Sequence, residues 1–217
     1  EALNRTWSMD RGLLEKEGYA CEVLRDKSTF KEVILRKDGQ SVVVQWVKDS
    51  AYRFFPLVED ERFGLVLHRF DLATNKVLAL VGRLEPRDWI DVLQCDEKLQ
   101  PLGYLVWAAC GKDPGFNPSF LIQEARRSGR YSQDELNELS FRGEPPKAGE
   151  LGRQWHTILK VAEELCSLLP EDKLGTCVLN QNGDLFRGGP DELKASLSGD
   201  RLRFHKGSIR GVWPTIG

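Results

Sequence analysis

The stretch DLATNKVLALVGRLEPRDWIDVL, Asp71 to Leu93, reads as two helices joined at a break. Asp71 can cap a first helix of about 12 residues. Glu85-Pro86 ends it, and Pro86 suits the first turn of a second helix, PRDWIDVLQC. On the first helix Lys76, Leu80 and Arg83 share a face. Leu72, Val77, Leu78, Leu80 and Val81 leave little of that helix polar, and a buried lysine needs an anion to meet it. Asp88 and Asp91 project to the same side of the second helix, while Trp89, Ile90, Val92 and Leu93 pack its other side. Asp88 near the helix start gains about 0.3–1 kcal/mol from the dipole; Asp91, further in, has weaker justification. Spacing leaves two readings open. The lysine facing acids is an ordinary salt bridge, or it is part of a triphosphate site in which a carboxylate orients the ammonium.

Upstream, residues 2–18 carry a helical pattern (Leu3, Trp7, Leu13, Leu14) that stops at Gly18. YACEVL is a short strand. FKEVILRKDGQSVVVQWV is a hairpin turning at Asp38-Gly39, a dipeptide suited to positive φ. In its second strand Val42, Val44 and Trp46 lie on one face and Val43, Gln45 and Val47 on the other. Both faces are largely apolar, so this strand is expected to be central and covered on both sides. The aromatic residues of DSAYRFFPLVEDERFG are expected to close one edge of the core.

Downstream, helical patterns cover about 101–111, 117–129, 132–140 and 151–169, separated by Gly-Pro joints such as RGEPPKAGE. The last 43 residues differ in kind. TCVLNQNGDLFRG is a hairpin candidate turning at Asn182-Gly183, GPDELKASLSG is a short helix started by Pro190, and RLRFHKGSIRGVW is a β-rich pair. The expected fold class is α+β, in three parts: a core of strands and helices over 1–97, a helical region over 98–172, and a small ββαββ unit over 173–217.

The totals are those of an ordinary soluble protein: 217 residues, 41% hydrophobic, 29% charged, net charge −2 from 31 basic and 33 acidic side chains. No global attraction to nucleic acid or membrane follows, so any such surface is local. No apolar run approaches the roughly 18 residues of a membrane span, and EALNRTWSMDRG is not a signal peptide. Five cysteines (21, 95, 110, 166, 177) without a C-x-x-C pair argue against a structural zinc site and a secreted disulfide framework; a reducing cytoplasm is the expected location. His68, His156 and His205 are too scattered for a histidine-based metal cluster.

HRFDLATNKVLALVGRLEPRDWIDVL, followed by GYLVWAACGKDPGF, resembles the nucleotidyltransferase-fold proteins of the AbiEii/AbiGii toxin family, over roughly residues 20–130. The resemblance implies a nucleotidyltransferase-like mixed sheet with packed helices. It implies transfer of a nucleotide from an NTP to an acceptor hydroxyl, RNA among the acceptors, with Mg²⁺. It assigns Lys76 and Arg87 to nucleotide binding and Asp88 to the catalytic site, with Asp91 as a second candidate, and brings an antitoxin-like partner into consideration.

Departures accompany the match. The chemistry of that fold uses a Gly-rich turn for the triphosphate and an Asp-x-Asp pair for two divalent metals. This chain has neither; EDE at 59–61 follows no Gly-rich turn. In the family that segment precedes the first helix here, and the chain opens without Met, so an upstream segment is expected. Where a third acid is expected on a central strand stands Gln45, whose amide cannot supply a carboxylate's charge; Asp49 is a poor geometric substitute. The alternative is therefore a non-catalytic nucleotide- or partner-binding module of the same fold.

Two basic features carry a choice of their own. Arg126, Arg127 and Arg130 either complement a helix C-terminus or contact RNA phosphates. Arg201 and Arg203, with Lys206, Arg210, Phe204 and Trp213 in an acid-free tail, either form a strand with one solvated face or a basic strip with a stacking aromatic for single-stranded nucleic acid.

Overall fold

The computed structural model describes residues 2–215. They form two compact units divided between Ala51 and Tyr52.

The first unit packs α1 (Ala2–Lys16) on an antiparallel sheet of β1 (Ala20–Lys27), β2 (Phe30–Lys37) and β3 (Gln40–Val47), in the order β1-β2-β3. Asp38 and Gly39 turn the hairpin at φ 50° and 76°, the positive angles that the dipeptide predicts. The inner face puts Val33 and Leu35 of β2 with Val44 and Trp46 of β3 against Trp7, whose ring meets that of Trp46 edge-on at 4.6 Å. β3 is not central. It pairs with β2 alone and forms an edge, with Val42, Val43 and Val47 each more than half exposed. Its two apolar faces look like those of a covered strand, but within this unit α1 covers only one of them. Gln45 lies on the outer face and donates to Glu32 at 2.6 Å.

The second unit is built around a helix that is apolar on all sides. Its elements are β4 (Tyr52–Arg53), β5 (Val58–Asp60), β6 (Gly64–Val66), α2 (Arg69–Arg83), α3 (Pro86–Lys98), α4 (Leu102–Lys112), α5 (Pro118–Ala125), α6 (Gln133–Asn137), α7 (Ala148–Leu168), β7 (Thr176–Asn180), α8 (Pro190–Ser198), β8 (Leu202–Lys206) and β9 (Ser208–Ile209). Every residue of α4 from Leu102 to Cys110 is buried, because α2, α3, α5, α7 and β7 surround it. Two close approaches make this possible. A Cβ on Gly103 would lie 2.8 Å from the Leu165 Cβ of α7, and one on Gly111 would lie 2.1 Å from the Gly175 carbonyl oxygen.

The C-terminal segment does not fold as a separate ββαββ unit. β7 pairs antiparallel with β8 across α8, with only a bridge from Leu179 to Leu185 at the Asn182-Gly183 turn, and β9 pairs with β4. Gln100 ties this segment to the helices by donating to the carbonyls of Val178 (2.9 Å) and Phe186 (2.7 Å), and Tyr104 donates to that of Gly188 at 2.7 Å. The elements on both sides of residues 97 and 172 thus share one core, which includes Phe54, Phe70, Leu105, Trp155 and Leu179.

Among the described residues no helix is long and apolar enough to cross a membrane. The architecture is mixed α+β with small antiparallel sheets.

Candidate functional site

α2 begins three residues earlier than Asp71 allows as a cap. His68 is the N-cap, its Nδ1 accepting from the Phe70 N–H at 3.3 Å, and Asp71 sits in the first turn. The helix ends where Leu84 takes a left-handed conformation, φ 51°, its N–H reaching the Leu80 carbonyl at 3.0 Å. Glu85 is extended, Pro86 opens α3, and the chain reverses so that the last turns of α2 face the first turns of α3.

This corner brings together three of the expected residues and one more. The Lys76 ammonium lies 3.2 Å from Asp88 Oδ1 and 2.7 Å from Asp91 Oδ2. Arg83 closes on Asp88 from the other side, Nε to Oδ2 at 2.6 Å and Nη2 to Oδ1 at 3.0 Å. Leu80, between the two cations on the helix face, is buried. Asp88 itself is fully buried, whereas about a third of the Lys76 side chain (35%) remains exposed. Arg83 is the residue that spacing did not assign. Arg87 is exposed and, among the described residues, makes no hydrogen bond or ion pair.

Burial opposes the Asp88 carboxylate, but the hydrogen bonds from Arg83 and then Lys76 outweigh it and hold its pKa below the usual value. Burial likewise opposes the Lys76 ammonium, and the bonds to Asp91 and Asp88 outweigh it, raising its pKa. Asp88 therefore stays ionised with both oxygens occupied. It is suited to orienting Lys76 and unsuited to accepting a proton. The same occupancy decides the fit of Mg²⁺: a cation there would have to displace an ammonium and a bidentate guanidinium, so this carboxylate pair does not suit a divalent metal. Among the described residues there is no group of three or more His, Cys, Asp or Glu that could hold one.

Lys76 opens onto a cleft of about 380 Å³ between α2 and α3, where Arg69 and Lys98 add positive charge and Leu72 and Leu99 add apolar wall. On the far side of α2 lies a second buried acid. Asp71 accepts from the backbone N–H groups of Phe54 (2.9 Å) and Phe55 (3.0 Å), and its Oδ1 lies 2.9 Å from the Lys112 ammonium. Lys112 also donates to the Asp71 carbonyl (3.0 Å) and Asn75 Oδ1 (2.8 Å). This network ties α2, α4 and the Phe54-Phe55 segment together, and 41 residues separate its two charges.

The remaining expected contacts are not gathered at one place. Arg126 pairs with Glu163 and Arg127 with Glu124, while Arg130 lines a separate, open cleft beside the start of α7. Arg201 Nη2 donates to the Ala195 carbonyl at 3.0 Å and Arg203 Nη1 to that of Thr215 at 2.8 Å. The alternation along β8 is real, but its second face is not solvated. Arg203 and His205 are half-buried, and His205 Nε2 lies 2.8 Å from the Phe54 carbonyl oxygen.

Comparison of the chain with protein-family models, with curated proteins and with solved structures gave no match in any of the three.

Proposed function

We propose that this chain is a nucleotide-binding module in which the Lys76 ammonium meets ligand phosphate at the α2–α3 cleft, with Arg69 and Lys98 along the same wall. The single observation that carries this reading is the geometry of Lys76. Its ammonium is held by a sealed acid, Asp88, which is itself neutralised from behind by Arg83, and yet the side chain remains partly open to a cationic cleft. A lysine fixed in this way offers a phosphate a preorganised donor. Arg87, next to Asp88 in sequence, is exposed and among the described residues makes no hydrogen bond or ion pair. The resemblance of the Lys76/Arg87-Asp88 segment to the nucleotidyltransferase-fold toxins supports the ligand class.

Isothermal titration of the chain with each of the four NTPs tests this reading. Saturable heat is expected for at least one, weakened tenfold or more by Lys76→Ala and unchanged by Arg126→Ala. Absence of heat with all four, or an unaltered isotherm for Lys76→Ala, removes it.

A second reading, transfer of the nucleotide to an acceptor hydroxyl such as that of RNA, is supported by the same segment's resemblance to nucleotidyltransferase-fold proteins. It requires metal-binding carboxylates contributed by a further segment or another chain. Label transfer from α-³²P-NTP to RNA in the presence of Mg²⁺ tests it, and an antitoxin-like partner would be recognised by its suppression of that transfer.

A further inference from the structure

The α2–α3 cleft does not end at Arg69 and Lys98. The same two side chains, with Leu99, also wall a second cleft of about 380 Å³, whose other side includes Phe55, His68, Arg187 and Trp213. We infer that the groove formed by these two clefts binds single-stranded nucleic acid, with a base stacked on Trp213 and consecutive phosphates on Arg69 and Lys98.

The charges favour a polyanion. Arg69 opens α2 and Lys98 closes α3; both are exposed, and among the described residues neither makes an ion pair or side-chain hydrogen bond. Arg187 donates to the carbonyls of Glu97 and Lys98, so it satisfies the C-terminus of α3 and offsets its dipole without losing its own charge. Two acids oppose them. Asp184 stands at the rim, and Asp91, at the far end, is already met by Lys76 at 2.7 Å. From Arg69 to Lys76 the groove follows two turns of α2, about 10 Å. Cations spread over that distance match the successive phosphates of a strand.

The ring favours bases. Trp213 is 55% exposed, although its centroid lies 5.8 Å from that of Phe55 and 5.9 Å from the imidazole of His68. It is anchored on one side and open on the other. Phe55, beneath it, is in turn held between His68 at 4.3 Å and His205 at 5.1 Å. A supported, open indole beside unpaired cations is the combination with which single strands are bound without sequence preference.

Fluorescence anisotropy with a labelled, unstructured ten-nucleotide RNA distinguishes the outcomes. Trp213→Ala should weaken binding about tenfold with the salt slope unchanged, and Trp213→Phe should restore it. Arg69→Ala with Lys98→Ala should weaken binding tenfold or more and lessen the slope of log K against log salt by about 0.7 for each lost phosphate contact. Circular dichroism identical to that of the parent chain establishes that each variant is folded. Unchanged affinity in both sets overturns the inference. So does equal displacement of the RNA by polyphosphate or by an acidic peptide together with an unaffected Trp213→Ala, since the groove is then only a cationic patch. Trp213→Ala keeps this inference separate from the nucleotide reading, because Trp213 is no part of the α2–α3 cleft: RNA binding weakened while NTP heat is kept supports this inference, and so does RNA binding weakened where the parent chain gives no NTP heat.

Discussion

A fully buried carboxylate costs several kcal/mol unless its charge is met, and among the described residues two are fully buried, Asp71 and Asp88. They are met in different ways. Asp71 relies on one cation, Lys112, itself nearly inaccessible, together with two backbone N–H groups. Asp88 has two cations, and the guanidinium of Arg83 already occupies both its oxygens. Removing one partner should therefore have unequal effects. Lys112→Met leaves a buried charge with only neutral donors and is expected to cost about 3–5 kcal/mol. Lys76→Met leaves Asp88 bidentate with Arg83 and removes a partly exposed ammonium, for a loss within about 1 kcal/mol. Urea denaturation measures both, and equal losses would contradict this assignment of the two acids. The same asymmetry lets Lys76 carry a ligand-facing role, because the fold does not depend on it.

At the scale of elements, the cap of α2 makes its stability depend on pH. His68 accepts from the Phe70 N–H only while Nδ1 carries no proton. Burial lowers its pKa, Arg69 lowers it further, and the attraction of Asp71 does not compensate. The unfolded chain therefore binds a proton at His68 more readily than the folded one does. Stability from this residue is complete above the unfolded value of about 6.5 and declines as pH falls from there toward the lower folded value. His68→Asn caps without titrating, so its urea midpoint should vary less between pH 7.5 and 5 than that of the parent chain; parallel profiles would exclude His68 as the source. Features set by local chemistry were legible in the sequence: the Asp38-Gly39 turn, the start of α3 at Pro86, and the approach of Lys76 to Asp88 and Asp91. What depended on distant partners was not. His68 displaced Asp71 as the cap because Asp71 is drawn to Phe54, Phe55 and Lys112. Arg83 reaches Asp88 only through the left-handed turn at Leu84, which a leucine does not announce. The pairing of β9 with β4 joins residues far apart in the chain, and no local pattern marks it.

The whole molecule divides unequally. Tyr52 onward surrounds a helix buried along nine consecutive residues, Leu102 to Cys110, and is closed at its end by β7 and β8. Among the described residues, the buried apolar side chains of the unit before it are Trp7, Val33 and Leu35, with Lys31 buried on the same face of β2, while Val43 and Val47 of β3 are more than half exposed. An apolar core of that size offsets little of the conformational entropy of some fifty residues, and such domains are marginal on their own. Residues 52–217 expressed alone are therefore expected to keep a cooperative thermal transition and the helical signal of α2 to α8. In the full chain, amide exchange in β1, β2 and β3 should be faster than in α4 and β7 by several orders of magnitude, because opening of the smaller unit needs less free energy than global unfolding. Loss of the cooperative transition on removing residues 1–51, or equal protection in β2 and α4, would show that the larger core is not self-sufficient. The ligand-facing residues Lys76, Arg69, Lys98 and Trp213 all belong to the larger unit, so RNA and NTP binding should survive in the 52–217 fragment if that core alone positions them.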